Sequence, residues 1–379
     1  MSFQNDIGFS LDYNALDRST RNCGNDHGQS AGFLSRLAPI HIEAPVIPTV
    51  QTLAATLDIT LINDVEPLSD RPSGTEIAPV PPTLEAVLFG GAGKLYAVLD
   101  SALVTNLAAR LDAGDLPHIC LFAEDHDDSA ETAPWLVALE RGDDLLRQLF
   151  TTGDAAWLHW TDRVGLFLRS DLDLAALRTH LRRFLRVQDH YNRWFFFRFW
   201  EPLTAPAYFG NIADRPEMVT RWFCPREGGR ISALMALDGT AGTFWVATPR
   251  DLPDNPASAR GTFTLTRSDL DCLQRARTEQ DLGRLSDLLA RTFPAKTAGM
   301  DSAALQEFTR ETVRRMRGYG FAQKDHIFKL LAWELHFGPN LESRDPDGEL
   351  ARICTARLDE ASKFVAFEDR INTFGPRSD

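Results

Sequence analysis

The sequence of 379 residues predicts a mixed α+β and α/β fold, with an N-terminal α/β lobe built on a mixed sheet and an all-helical C-terminal lobe. Two observations carry this prediction. Between residues 83 and 255, short apolar runs bounded by turn residues alternate with segments of helical periodicity. After Gly261 the apolar residues recur only at helical spacing, and the segments end at glycine or proline.

Residues 1–82 follow neither pattern and are expected to form a poorly ordered or partly docked extension. The first 35 residues are rich in Asn, Asp, Gly, Ser and Arg without a clear period, and residues 72–82 contain four prolines. The segment 57–62 has the composition of a strand and is the piece most suited to docking.

The α/β lobe is assigned to residues 83–255. Its predicted strands are 95–99, 118–122, 156–160, 164–168, 194–200, 231–237 and 243–248, and residues 135–139 form a further apolar run. In the segment 194–200, six of the seven residues are aromatic, and uninterrupted apolarity predicts a strand buried on both faces at the centre of its sheet. The helix after residue 170 is expected to be capped by Ser170, with Asp173 three residues later.

The helical lobe is assigned to residues 256–379. Helices are predicted at 268–293, 301–319 and 324–337, with one or two more in 349–370. The three prolines of residues 249–256 indicate a linker between the lobes, which allows them to move relative to each other.

Composition limits the function. A net charge of −13 disfavours nucleic acid as a partner, and the absence of an apolar run of about eighteen residues predicts no membrane span. The N-terminus does not resemble a secretory leader, and the five scattered cysteines form no C-x-x-C pair, so we expect a protein of the reducing cytoplasm.

Motifs for catalysis, cofactors and metals are missing from the sequence. The run Gly90–Lys94 lacks the spacing of a phosphate-binding loop, and neither G-x-S-x-G nor H-E-x-x-H occurs. The acidic run Asp125–Asp128 is interpreted as a solvated loop. The sequence therefore predicts no enzymatic activity, no cofactor and no metal.

Two basic features are the candidates for a functional site. Arg198 lies between phenylalanines and needs a carboxylate partner, for which Glu201, Asp100 and Asp171 are available. The ion pair could stabilise the lobe or hold a partner. The arginines of the helix that follows Ser170, among them Arg178 and Arg182, form either a solvated face or a docking patch for an acidic partner.

Three segments in order resemble one known family. They read LYAVLD at 95–100, GLFLRS at 165–170 with His180-Leu181-Arg182 in the next helix, and FRFWEP at 197–202, with PWLV at 134–137 between the first two. Together they resemble the adaptor, or chaperone, family of type VI secretion effectors over residues 85–225. The family usually has F-R-F-Y-D-P in the third segment, so Trp200 and Glu201 replace Tyr and Asp, and Leu203 replaces a frequent Arg.

The resemblance implies a bacterial, cytoplasmic protein that binds one effector and loads it onto the VgrG spike or a PAAR-type protein, and it makes Glu201 the first-choice partner of Arg198. The segment Tyr319–Phe321 is similar to a motif of the family's helical tail. The residues singled out for partner binding or lobe stabilisation are Asp100, Ser170, Arg178, Arg182, Arg198, Trp200, Glu201 and Pro202. Two alternatives stay open, a hydrolase-like α/β enzyme with dispersed site residues and a structural subunit of a secretion assembly.

Overall fold

The structure is a computed structural model that describes residues 56–70, 78–122, 132–226, 228–253 and 263–374. These residues belong to one compact unit. The predicted fold class is confirmed, because strands and helices mix in the N-terminal half and the C-terminal part is almost entirely helical.

The described strands are β1 (Thr56–Ile62), β2 (Leu68–Ser69), β3 (Lys94–Asp100), β4 (His118–Cys120), β5 (Pro134–Leu139), β6 (Thr151–Thr152), β7 (Gly165–Ser170), β8 (Arg186–Asp189), β9 (Trp194–Phe196), β10 (Ile231–Asp238), β11 (Thr243–Arg250) and β12 (Thr264–Leu265). The described helices are α1 (Pro82–Phe89), α2 (Leu107–Ala113), α3 (Asp144–Leu149), α4 (Leu174–Leu181), α5 (Ala205–Asn211), α6 (Pro216–Phe223), α7 (Arg267–Thr292), α8 (Pro294–Thr297), α9 (Ser302–Gly318), α10 (Lys324–Phe337), α11 (Glu349–Thr355) and α12 (Glu360–Phe374).

The main sheet has seven strands in the order β1-β11-β10-β7-β3-β5-β4, and its neighbouring strands are antiparallel. Parallel pairs occur in the two small sheets, between β12 and β8 and between β2 and β6. The predicted strand at residues 57–62 is present as β1, at the edge of the main sheet. The predicted strand at 156–160 is absent, because this stretch forms turns that bury Trp160 and expose Trp157.

Helices cover both faces of the main sheet, which explains why its central strands are apolar without alternation. In β3, Leu95, Ala97 and Leu99 face the core shared with α1, α2 and α3. Tyr96 and Val98 point to the opposite core, which is shared with α4, α5 and α6. The strand therefore lies between two hydrophobic layers.

The prediction of a central strand at 194–200 is wrong. The strand β9 includes only Trp194–Phe196 and lies at the edge of the small sheet β12-β8-β9. The following residues are irregular, yet Phe197 and Phe199 are buried and pack their rings against Trp222, with ring centroids 6.4 Å and 5.3 Å away. Apolarity in this run reflects burial of the segment after the strand, which the sequence pattern cannot separate from strand geometry.

The helical lobe has its own core, formed by α7 and the helices after it, including the fully buried Leu330, Leu331 and Phe367. Helix α7 also reaches the first lobe. Its N-terminal turn follows β12, which pairs with β8, and its later residues Leu282 and Leu289 belong to the helical core. The proposed linker 249–256 begins within β11, and its residues from 254 onward lie outside the described residues.

Candidate functional site

Asp100 is the last residue of β3 and its carboxylate is almost completely buried, with a side chain 3% exposed. Its backbone N–H donates to the carbonyl of Val164, 2.8 Å away, so the end of β3 is held beside the start of β7. A buried carboxylate needs donors to replace the water that it loses. The chain supplies them from a segment almost one hundred residues later.

Arg198 and Trp200 are these donors. The Arg198 guanidinium forms an ion pair with Asp100 Oδ2, and the Trp200 indole N–H donates to the same oxygen at 3.0 Å. The other oxygen accepts the backbone N–H of Ala102 at 3.1 Å. The Arg198 side chain is 28% exposed, so one side of the pair reaches the surface while the carboxylate stays buried.

The prediction that Glu201 is the first-choice partner of Arg198 is wrong. The backbone turns after Trp200, and the carbonyl of Glu201 accepts the N–H groups of Thr204 and Ala205 at the start of α5. This turn directs the Glu201 carboxylate towards α7, where the amide of Gln280 is 3.5 Å away. Pro202 is buried within the same turn.

Ser170 is buried at the end of β7 and connects two strands. Its hydroxyl donates to the carbonyl of Arg230 at 2.8 Å and accepts the backbone N–H of Leu172 at 3.2 Å. The expected role of Ser170 as a helix cap is wrong. Asp173 is the cap of α4, and its carboxylate accepts the N–H of Ala176 at 2.8 Å, because Ser170 still belongs to the strand.

The two arginines of α4 have different environments. Arg178 donates to the carbonyls of Cys120 and Phe122, at 2.7 Å and 2.8 Å, and so attaches the helix to the end of β4. Arg182, one turn later, is exposed. Burial raises the pKa of the Cys120 thiol, and the charges of Arg178 and Arg182 oppose this shift.

An aromatic surface lies beside this cluster and was missed at the sequence level. Trp194 is 55% exposed and Phe196 is 42% exposed. The Phe196 ring packs edge-on against Phe122 and Trp200, with centroids 5.4 Å and 5.7 Å away. Asn192, which adopts a positive φ of 61°, marks the tight turn between β8 and β9, so the sequence carries a signal for this hairpin but not for the end of β9 after Phe196.

A second polar cluster, centred on the buried His159, lies on the other side of the main sheet. The Arg110 guanidinium donates to His159 Nε2 at 3.0 Å, so the ring proton is on Nδ1, which donates to Asp162 at 2.8 Å. Burial lowers the pKa of His159, the charge of Arg110 adds to this shift, and Asp162 opposes it. His159 is therefore held in its neutral form.

The segment Tyr319–Phe321 closes helix α9. Gly320 has a positive φ of 91°, which a residue without a side chain adopts without strain, and the N–H of the buried Phe321 donates back to the carbonyl of Met316 at 3.1 Å. The Tyr319 hydroxyl donates to Glu342, 3.3 Å away. In this protein the segment terminates a helix and anchors it in the core.

Within the described ranges, no group of three or more His, Cys, Asp or Glu side chains is arranged to hold a metal ion. The acidic run Asp125–Asp128 lies outside the described residues. Among the helices of the described part of the chain, none combines the length and apolarity needed to cross a membrane.

The domain is a sheet covered by helices on both faces. The buried carboxylate of Asp100, at the end of β3, connects this sheet to the later segment 197–202. Residues 95–215 match the family model of DUF4123, a domain of unknown function. The match runs from β3 to the residue before α6 and spans less than half of the chain. No curated protein and no solved structure matches the sequence.

Proposed function

We propose that this protein is a type VI secretion adaptor that binds one effector and loads it onto the VgrG spike or a PAAR-type protein. The observation that carries the proposal is the convergence of the segments that resemble the adaptor family. LYAVLD is β3, and the strands that contain PWLV and GLFLRS, β5 and β7, pair with it on either side. FRFWEP returns to β3 through the contacts of Arg198 and Trp200 with Asp100.

This convergence supports the proposal because the separate motif residues together hold the segment 197–202 against the end of β3. Residues far apart in sequence meet at one end of β3, so their shared occurrence has a structural cause. All of these segments also fall within residues 95–215, the region that matches the domain of unknown function. The motif thus supports a common fold, and exposed aromatic side chains lie on the described surface beside it.

The surface next to the motif suits a binding protein. Arg198 and Trp200 contact Asp100, and the exposed aromatic residues Trp194 and Phe196 lie just before them in the chain. Exposed aromatic side chains near arginine are typical of protein interfaces, because they bury large areas and offer charge-assisted hydrogen bonds. The alternative of a hydrolase-like enzyme would need a deep polar pocket lined by titratable groups with shifted pKa values.

The test is deletion of the gene in the bacterium that encodes the chain. We expect secretion of the toxin encoded beside it to be lost, while VgrG is still released into the medium at the normal level. Expression of the intact chain from a plasmid restores toxin secretion. Normal toxin secretion in the deletion strain would contradict the adaptor function, and loss of VgrG release would favour a structural subunit of the secretion assembly.

A further inference from the structure

No strand of the described ranges pairs with the outer edge of β9, and this edge combines exposed aromatic rings with an exposed arginine. We call this surface, made of Trp194, Phe196 and Arg186, the β9 edge. In the pairing of β9 with β8, Arg186 lies opposite Phe196. The Arg186 guanidinium also lies over the Trp194 ring, 5.8 Å from its centroid.

The backbone of β9 is arranged for one more strand. The N–H of Phe197 donates to the carbonyl of Leu185 at 2.8 Å, and the N–H of Asp189 donates to the carbonyl of Arg193 at 3.0 Å. Hydrogen-bonded and non-hydrogen-bonded pairs alternate in antiparallel sheets. The odd-numbered residues of β9 therefore bond to β8, and the N–H and C=O groups of Trp194 and Phe196 point to the free edge.

The charge around the β9 edge is opposite to that of the whole chain. Residues 178–198 contain six arginines and one carboxylate, Asp189, whereas the net charge of the protein is −13. Asp189 pairs with Arg193. Arg182 and Arg186 are exposed, and no carboxylate of the described ranges forms an ion pair with either. An acidic partner segment would supply the missing negative charge.

We propose that the β9 edge binds, as an added strand, an extended segment of the effector that carries apolar and acidic side chains on the same face. The identity of the client rests on the proposed adaptor function. The segment's backbone pairs with Trp194 and Phe196, its apolar side chains cover the two rings, and a carboxylate on the same face pairs with Arg186. This is strand addition, in which the edge supplies affinity and the side chains supply specificity.

The first test is isothermal titration calorimetry of the purified chain with the separately purified toxin encoded beside its gene. The double variant Trp194→Ala/Phe196→Ala should bind the toxin at least tenfold more weakly, because both apolar contacts are removed. The control is Ile59→Ala/Leu61→Ala on β1, another edge strand of the described fold, with matching exposures of 42% and 55%. This control should bind within twofold of the unchanged chain.

The second test addresses the charge and the backbone. Arg186→Glu should weaken binding at least tenfold at low salt, and Arg186→Lys should lose less, because it keeps the positive charge. In the complex, hydrogen exchange at the amides of Trp194 and Phe196 should slow at least tenfold, whereas that of Ile59 should not change.

Toxin binding that is unchanged in the Trp194→Ala/Phe196→Ala variant, or stronger in Arg186→Glu, would overturn the inference while leaving the adaptor function intact. A toxin that does not bind the unchanged chain at all would instead contradict the adaptor function itself. A protein that forms dimers, which Trp194→Ala/Phe196→Ala converts to monomers, would show that a second copy occupies the edge, and this too would overturn the inference.

Discussion

At Asp100, one buried carboxylate accepts hydrogen bonds from two side chains of the segment 197–202 and from the backbone of the following turn. The sequence predicts that Arg198 needs a carboxylate, because a charge between phenylalanines cannot be buried alone. It does not predict which one. Glu201 is close in sequence, but the turn into α5 directs its carboxylate away, and Asp100 becomes adjacent only through the fold.

Replacement of Arg198 by Ala should reduce the free energy of unfolding by about 2 to 4 kcal/mol, because a buried carboxylate loses its counter-charge and keeps only its two neutral donors. Urea denaturation of the two proteins checks this. Arg141→Ala is the control, since Arg141 also pairs with a carboxylate, Glu85, but has an exposed side chain. The control should change stability by less than about 1 kcal/mol. Equal stabilities of Arg198→Ala and the unchanged chain would contradict a structural role of the pair.

His159 makes stability depend on pH. Its pKa in the folded protein is lowered, while in the unfolded chain it is about 6.5. As the pH falls below about 6.5, the unfolded state takes up the proton first, so stability decreases, by at most about 1.4 kcal/mol per pH unit for this one group. The difference in unfolding free energy between the intact protein and His159→Gln should therefore shrink from pH 7 to pH 5. A constant or growing difference would show that the folded protein protonates His159 readily.

At the scale of elements, the bounds of helices are predicted most accurately where a periodic apolar pattern extends over many residues. Helix α10 begins and ends where predicted, α7 is displaced by one residue, and α9 is one residue shorter at each end. The segment 194–200 fails because a short aromatic run carries no period, and only the tertiary core decides that β9 ends after Phe196. The exposure of Trp194 and Phe196, and with it the candidate binding surface, follows from that ending.

Helix α7 connects the two lobes through Asp269, whose side chain is fully buried. One of its oxygens accepts from Arg215 and Asn211, at 2.6 Å and 2.8 Å, and the other caps the helix with Thr266. Asp269→Asn removes the charge that Arg215 needs and should cost about 3 kcal/mol or more of unfolding free energy.

Asp271→Asn is the matched control for Asp269→Asn on the same helix. Asp271 is exposed, and its ion pair with Arg267 is long, at 3.9 Å. Loss of the Asp271 charge should therefore reduce the free energy of unfolding by less than about 0.5 kcal/mol. Thermal or urea unfolding of both variants checks the comparison. Equal losses in the two variants would contradict the conclusion that α7 is anchored to the first lobe through Asp269.

At the scale of the whole molecule, the order of an α/β lobe and a helical lobe follows from the change of periodicity along the chain. The connection between the lobes does not follow from the sequence pattern. The prolines near residue 250 predict a linker, whereas in the structure β12 and the start of α7 pack with the first lobe. In the proposed function, the small sheet that contains β9 provides the binding surface, and helix α7 holds the helical lobe beside the first lobe.

The most direct test of the adaptor function is co-purification of the intact chain with the toxin encoded beside its gene, followed by measurement of the mass of the complex. We expect a one-to-one complex that remains intact during size-exclusion chromatography and that recruits purified VgrG or PAAR-type protein. Elution of the chain and the toxin as separate species, with catalytic turnover by the chain alone, would contradict the adaptor function.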